Sequence, residues 1–344
     1  MINFFEGMTM KYNNIDFNNK TILITGGAGF IGSNLAFYFQ RVFSNSNVVI
    51  FDCFRSEELF SNGNLQSFGH FKNLIGFNGK LICGNINNLV DLKQLSEFKF
   101  DYIFHQAAIS DTRVYDQTIV MRTNINSFYS LLEIAKRDNA VMVYASSAAT
   151  YGSLPSPQKE GNESPENPYG FSKLMMDQIA KKFSKDNPKM TVVGLRYFNV
   201  YGPKEFYKGI TSSMIIQLGH QILSGNAPRL FNNSNKIKRD FIYIDDVIQA
   251  NIKACKPINN GIFNVGTGVS RSFQDIADIL QTEFGTSYKT EYFPNPYEGY
   301  QMNTQADISS SKSNLDFLPQ FSLEQGIRDY IHEIKRLHST ETIW

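Results

Sequence analysis

The sequence predicts an α/β fold, a doubly wound parallel sheet with helices on both faces, followed by a smaller α/β domain. Three observations carry that expectation. Short apolar, β-branched runs alternate with segments long enough for helices, the pattern of parallel strands joined by helical crossovers. The first such run is followed at once by Gly26-Gly27-Ala28-Gly29-Phe30-Ile31-Gly32. The second ends in Asp52, twenty residues beyond Gly32.

Thr21-Ile22-Leu23-Ile24-Thr25 reads as a buried strand. The glycines after it form a strand-to-helix turn. Gly26, Gly29 and Gly32 allow a tight turn, close backbone approach to a pyrophosphate, and tight helix-on-sheet packing. The helix opening at Phe30 and Ile31 offers oriented N–H groups to that anion. Asn47-Val48-Val49-Ile50-Phe51 is the second strand, and Asp52, followed by Cys53, stands where a dinucleotide-binding (Rossmann) fold places an acid for the adenosine ribose. Further strands are expected at 80–83, 102–105, 142–145 and 191–195. Helices are expected at about 89–97 and at 121–137, where Leu131, Leu132 and Ile134 keep helical spacing. From about Asn199 glycine, asparagine and proline become frequent and periodic runs shorten, which marks a change of domain. Residues 1–20 carry Glu6, Asp16 and many asparagines and are expected to form a surface extension.

With 344 residues, 42% of them hydrophobic and 19% charged, the chain is long enough to bury a large core and has the composition of an ordinary globular protein. Its net charge of +1 supplies no global field for nucleic acid, so an anionic ligand must be held by local cations and helix ends. Cys53, Cys83 and Cys255 are odd in number and widely spaced, which argues against a disulfide framework or a metal site and for a reducing compartment. No run of eighteen apolar residues and no basic-then-apolar leader occurs, so a cytoplasmic location without membrane contact is expected.

The chemistry is carried by Ser146-Ser147-Ala148-Ala149-Thr150-Tyr151-Gly152 and by Tyr169-Gly170-Phe171-Ser172-Lys173. Removing hydride from a secondary alcohol requires loss of its hydroxyl proton, and a tyrosine titrating near ~10 is a poor base at neutral pH. Lys173, four residues on, shares a helix face with Tyr169, and a fixed ammonium there favours the phenolate. Ser147 can hydrogen-bond the reacting oxygen. Alone, Tyr-x-x-x-Lys is more often packing plus a solvated charge. The glycine-rich turn and Asp52 upstream change that weighting.

Together these motifs resemble the extended short-chain dehydrogenase/reductase family of nucleotide-sugar enzymes. The segments Arg196-Tyr197-Phe198-Asn199-Val200-Tyr201-Gly202-Pro203-Lys204-Glu205-Phe206-Tyr207-Lys208-Gly209, Arg239-Asp240-Phe241-Ile242-Tyr243 and Tyr300-Gln301-Met302-Asn303-Thr304-Gln305-Ala306-Asp307 are similar to the heptose 6-epimerase branch of that family. The resemblance implies a nucleotide domain of residues 21–198 plus about 239–266, and a substrate domain of about 199–238 plus 267–344. It implies an isomerase that takes ADP-heptose, inverts C6 through transient oxidation and supplies heptose for lipopolysaccharide. It also implies a homo-oligomer. Lys208, the lysine of a Tyr-Lys-Gly pattern, becomes the second proton-handling group beside Tyr169, its bland alternative being a loop cation paired with Glu205.

For the cofactor, Asp52 alone favours NAD. Arg55, assisted by Lys72, would clamp the extra phosphate of NADP, and the resemblance tips the choice to NADP. Asn85 and Ile86 are placed at the adenine edge. Gln106, Ala107 and Ala108 are placed at the small-residue turn beneath the dinucleotide, with Asn124 and Val200 nearby, and His105 reads as a packed strand-end residue. For the substrate, the resemblance carries over Ser147, Asn199, Lys208, Gln217, Phe231, Ser234, Arg239 and Tyr300, of which Arg239 suits a diphosphate best. Gln217 and Ile210 depart from the histidine and serine usual in relatives. Ala148 and Ala149 occupy the acid and base positions of a 4,6-dehydratase and disfavour elimination. A nucleotide-hexose 4-epimerase and a catalytically idle NADP-binding protein are the competing readings.

Overall fold

The computed structural model describes residues 11–296 and 301–342. The first half of the chain lays down β1 (Thr21–Thr25), α1 (Phe30–Val42), β2 (Asn47–Asp52), β3 (Lys80–Cys83), α2 (Leu89–Lys93) and β4 (Tyr102–His105). There follow α3 (Gln117–Met121), α4 (Ser127–Asp138), β5 (Val141–Ser147), α5 (Pro168–Asp186) and β6 (Val192–Tyr197). The second half adds β7 (Asn199–Tyr201), α6 (Met214–Leu223), β8 (Arg229–Phe231), β9 (Lys238–Tyr243), α7 (Ile244–Lys253) and β10 (Gly261–Val265). It closes with β11 (Ser270–Ser272), α8 (Phe273–Phe284), β12 (Glu291–Phe293), α9 (Ser309–Leu315) and α10 (Leu323–Thr340). Among the described residues no helix is long and apolar enough to cross a membrane.

Seven of these strands form one sheet in the order β3-β2-β1-β4-β5-β6-β10, every neighbouring pair parallel. Strand side chains alternate between two cores. Ile22, Ile24, Ile50, Phe104, Val143 and Leu195 pack with residues of α1 and α7. Leu23, Val49, Ile103, Met142 and Val192 face the other way, against Phe128 and Leu131 of α4 and Met176 and Ile179 of α5. Burial on both faces is why these strands are apolar throughout. The order reverses between β1 and β4, so the carboxyl ends of those strands open a crevice at the switch point. The smaller part joins β11, β9 and β7 in one sheet, pairs β12 with β8, and packs α6, α8 and α10 through Ile215, Leu218, Ile276, Leu280, Ile331 and Ile334.

Three expectations are corrected by the structure. Of the extension expected over residues 1–20, residues 1–10 lie outside those described, and residues 11–20 pack on α1 and the main sheet and do not stand off the surface: Phe17 is fully buried against Phe39, Phe43 and Tyr102, and Tyr12 stacks on Tyr38. The helix expected over 121–137 is interrupted by a π-helical turn at Arg122–Asn126, whose extra residue turns Asn124 inward. The return expected from Arg239 takes place at α7, because β9 belongs to the small sheet between β7 and β11 while β10 joins the main one.

Candidate active site

The glycine turn follows directly from β1. Gly26 has φ +70°, and a Cβ there would meet the Ala107 backbone nitrogen at 2.6 Å; a Cβ on Gly32 would meet the Gly26 carbonyl oxygen at 2.2 Å. These contacts require glycine and bring α1 down onto the turn. The α1 N-terminus at Gly29 has no side-chain cap and no acid in its first turn, and Gly29, Phe30, Ile31 and Gly32 line the main cleft. Its N–H groups are therefore available to an anion.

The cleft, about 1020 Å³, runs along the carboxyl ends of the main strands and on between the two parts of the molecule. Asp52, Cys53, Asn85 and Ile86 border one end, Gln106, Ala107 and Ala108 its middle, and Ser147, Tyr169, Lys173, Asn199, Val200, Lys208 and Arg239 the other. Asp52 is 5% exposed; Oδ2 accepts the Ala28 N–H at 2.9 Å and Oδ1 the Phe54 N–H at 2.8 Å. Burial raises its pKa, opposed by these bonds. The carboxylate thus fastens the glycine turn to the end of β2.

Tyr169 and Lys173 stand on the first turns of α5, which Asn167 caps by accepting the Gly170 N–H at 2.8 Å and Pro168 opens at a position that needs no N–H. Lys173 is 1% exposed and donates to the Ala145 carbonyl at 2.8 Å. Burial lowers its pKa to about 8, against the pull of Asp177. Its ammonium lies 5.9 Å from the Tyr169 ring centroid. Burial pushes the Tyr169 phenol up, and the group opposing that shift is the Ser147 hydroxyl. Ser147 Oγ accepts the Ala149 N–H at 3.1 Å, leaving its own O–H to donate toward the phenol or a ligand oxygen.

Lys208 sits on a short 3-10 turn, Phe206–Thr211, and reaches over the Phe30 ring at 5.7 Å, at the mouth of α1. Burial lowers its pKa, while Glu205 and Asp111 oppose the change. Glu205 is fully buried and accepts the Gly202 N–H at 3.1 Å, the Ser213 N–H at 2.6 Å and the Ser213 hydroxyl at 2.8 Å. Its oxygens therefore shape the turn that carries Lys208. Gln217 braces the same turn by donating to the Ser212 carbonyl at 2.7 Å.

Several expected site residues stand outside the cleft wall. Arg55 donates to the Tyr207 carbonyl and Lys72 pairs with Glu341 at 2.7 Å, so both cations fasten the β2–β3 loop to the Lys208 turn and the end of α10. Asn124 is wholly buried: it accepts the Ile109 N–H at 2.9 Å and donates to the Ile109 carbonyl at 3.0 Å and the Ser172 hydroxyl at 2.9 Å. It ties the loop after β4 to α5. Gln217 faces its own turn, Phe231 packs edge-on against Phe293 at 5.0 Å, and Ser234 is buried beside it in sequence. Tyr300 lies outside the described residues. His105 is buried, bonded through Nδ1 to the Thr25 hydroxyl at 2.7 Å, and burial lowers its pKa to about 3, as suits a packing residue.

The cleft also draws on residues given no site role from the sequence. Ser110, Asp111 and Thr112 follow the small-residue turn after β4, and Phe198, Ser213, Gln301 and Thr304 line the far end. A polar triplet five residues past a strand end, just beyond the small-residue turn, was a readable signal. Gln301 lies in a segment already singled out, but its contact, an amide donating to the Gly152 carbonyl 149 residues away, had no local signal.

Residues 22–266 match the NAD dependent epimerase/dehydratase family. The chain is 35% identical, over 322 residues, to an ADP-L-glycero-D-manno-heptose-6-epimerase of Brachyspira hyodysenteriae, covering 92% of this chain and 98% of that protein. It superposes on the Helicobacter pylori ADP-L-glycero-D-manno-heptose-6-epimerase with a TM-score of 0.87 and 47% identity, covering 95% of this chain and 99% of that one. A UDP-glucose 4-epimerase of Thermotoga maritima gives a TM-score of 0.81 at 26% identity, covering 92% and 99%.

Proposed function

The chain belongs to the NAD dependent epimerase/dehydratase family, and from that premise we propose that it is an ADP-glycero-manno-heptose 6-epimerase, interconverting the D-glycero and L-glycero forms of ADP-heptose. The carrying observation is the juxtaposition of Ser147, Tyr169 and Lys173 with Lys208 in one cleft, together with identities of 35% and 47% to heptose epimerases over nearly whole chains. The protein acts in the cytoplasm, where reducing conditions suit three free thiols.

The cofactor is a nicotinamide dinucleotide, which accepts and returns a hydride when bound. The residues present fit it: an uncapped helix N-terminus and glycine turn for the pyrophosphate, small residues Ala107 and Ala108 beneath its centre, and buried Lys173 beside Tyr169. NADP is the form we favour. Each Asp52 oxygen accepts one backbone N–H and keeps a lone pair for a ribose hydroxyl, and Arg55 and Lys72 are engaged by Tyr207 and Glu341, so the preference rests on the resemblance to heptose epimerases.

In this reading Tyr169 takes the proton of the C6 hydroxyl of one epimer as its hydride leaves, and Lys208 supplies the proton to the ketone oxygen when the hydride returns on the opposite face. Ser147 donates to the oxygen while carbonyl character develops. Lys208 exchanges the proton when the sugar presents its opposite face, a task suited to a lysine whose burial disfavours the charged form. Arg239, 7% exposed and within the cleft, neutralises diphosphate charge. The nucleotide occupies the domain of the main sheet and the sugar the smaller one.

The test is incubation of purified protein, without added cofactor, with ADP-D-glycero-manno-heptose while the C6 configuration is followed by NMR. The L-glycero epimer is expected. Lys208→Met should bind the nucleotide sugar yet lose at least about 100-fold in rate, the usual scale for an acid/base group; turnover of UDP-hexoses instead, unaffected by Lys208→Met, would favour a 4-epimerase.

A further inference from the structure

Beneath the face of α5 that carries Tyr169 and Lys173 lies a buried polar set to which the reaction above assigns no part. Asp177 is one helical turn beyond Lys173 and two beyond Tyr169, so the three share a face. Asp177 and Arg196 are both fully buried. Arg196 Nε and Nη2 donate to Asp177 Oδ2 at 2.9 and 2.8 Å, while Nη1 reaches the Tyr151 hydroxyl at 3.0 Å and Glu163 at 2.6 Å.

A buried ion pair by itself says little about function, because well-packed apolar residues often replace one without loss. What distinguishes Asp177 is its grip on β5. Oδ1 accepts the Tyr144 hydroxyl at 2.9 Å and Oδ2 accepts the Ser146 hydroxyl at 3.0 Å. These residues flank Ala145, whose carbonyl takes the Lys173 ammonium at 2.8 Å. The neighbouring strand makes room for the contact. Gly194 of β6 lies in register with Tyr144, and a Cβ there would meet the Tyr144 hydroxyl oxygen at 2.4 Å.

We propose that Asp177 is a positioning residue for the chemistry at Tyr169: by fastening β5 on both sides of Ala145 it fixes the carbonyl that aims the Lys173 ammonium. The inference rests on the roles given above to Tyr169 and Lys173. Charge acts in the same direction, since the Asp177 carboxylate favours the Lys173 ammonium against the burial that lowers its pKa. The other groups around this pair are His105 on β4, held neutral by burial, the buried phenols Tyr144 on β5 and Tyr197 on β6, and Arg196 behind Asp177. Asp177→Asn therefore leaves Lys173 facing Arg196 with no carboxylate between them. Less ammonium is present at a given pH, and the Tyr169 phenolate forms at higher pH.

The experiment uses the holoenzyme and follows heptose epimerisation against pH. Asp177→Asn is expected to move the acid limb of the kcat profile upward by about one unit, with KM and bound dinucleotide unchanged. The double variant Tyr144→Phe, Ser146→Ala keeps the Asp177–Arg196 pair and serves where Asp177→Asn fails to fold; its kcat should fall about tenfold through misplacement of Lys173. Glu163→Gln removes the other carboxylate on Arg196 and should lower Tm while leaving kcat and its profile as in the wild type. In the holoenzyme without sugar, 13C-tyrosine NMR should show the Tyr169 signal, assigned by its loss in Tyr169→Phe, titrating higher in Asp177→Asn. Wild-type kcat, profile and Tyr169 titration in the foldable Asp177 and β5 variants would overturn the proposal and leave Asp177 a packing group. Full activity in Tyr169→Phe would instead overturn the catalytic reading on which it rests.

Discussion

The chemistry proposed for this protein depends on a few side chains held where water cannot level their differences. Tyr169 is pushed up by burial and Lys173 is lowered to about 8, so neither starts from its ordinary value. The Ser147 hydroxyl opposes the upward push of burial on the phenol, and the lysine beside it is aimed by the Ala145 carbonyl. Tyr169→Phe keeps the ring and its packing while removing the proton-transfer atom, so epimerisation followed by NMR should slow by about 100-fold or more. Retention of wild-type turnover would remove Tyr169 from the reaction. The residue types at 147, 169 and 173 were legible in the sequence because their spacing is set by one helix turn and one strand end. The partners that tune them were not: Asp177 is legible as a helix neighbour, but its bonds to β5 and Arg196 are tertiary.

At the scale of elements, the strand, glycine turn and helix from Thr21 to Val42 form a unit in which backbone sterics decide function. The Gly32 Cα faces the Gly26 carbonyl so closely that a methyl group would sit 2.2 Å from the oxygen. Gly32→Ala must therefore lift α1 from the turn, displacing the N–H groups that face the cleft. The variant is expected to purify with little bound dinucleotide and with stability lower by about 1–3 kcal/mol, the cost of overpacking. Absorbance of the released cofactor and a denaturation midpoint check both parts. Elsewhere, element boundaries were readable to within a residue or two where runs are β-branched and apolar, as in β1 and β2. The π-helical turn at Arg122–Asn126 was not readable, because its cause is the demand of Ile109 and Ser172 for the Asn124 amide, a contact made across the fold.

For the whole molecule, two buried histidines couple stability to pH. Burial lowers His105 to about 3 and His220, between α6 and α10, to about 4, from an unfolded value of 6.5. Below 6.5 the unfolded chain binds protons that the folded one refuses, so this contribution to stability is lost as pH falls from 6.5 toward 4. Asp245 and Asp246 act oppositely. Burial raises them to about 6 and about 7, so the folded state holds their protons first and gains on acidification through that range. The histidine contribution is isolated by comparing His220→Gln with wild type. Between pH 6.5 and 5 the variant should lose less stability, by about 1.4 kcal/mol per pH unit. Parallel pH curves for the two proteins would show that His220 titrates normally.

What the sequence by itself determined is the nucleotide-binding half and the type of chemistry. Turn glycines, strand-end Asp52 and the Tyr169–Lys173 pair are local features, fixed by the periods of helix and strand and by the conformational needs of glycine. The tertiary structure alone decided which cations are free and which are engaged. Arg55 and Lys72 read as phosphate ligands along the chain, yet they meet Tyr207 and Glu341, which lie 152 and 269 residues further on. It likewise packed residues 11–20 through Phe17, and brought Gln301 and Lys208 to the cleft that Ser147 and Tyr169 begin. A charged side chain takes its partner from whatever the fold places beside it, and no local period encodes that neighbour.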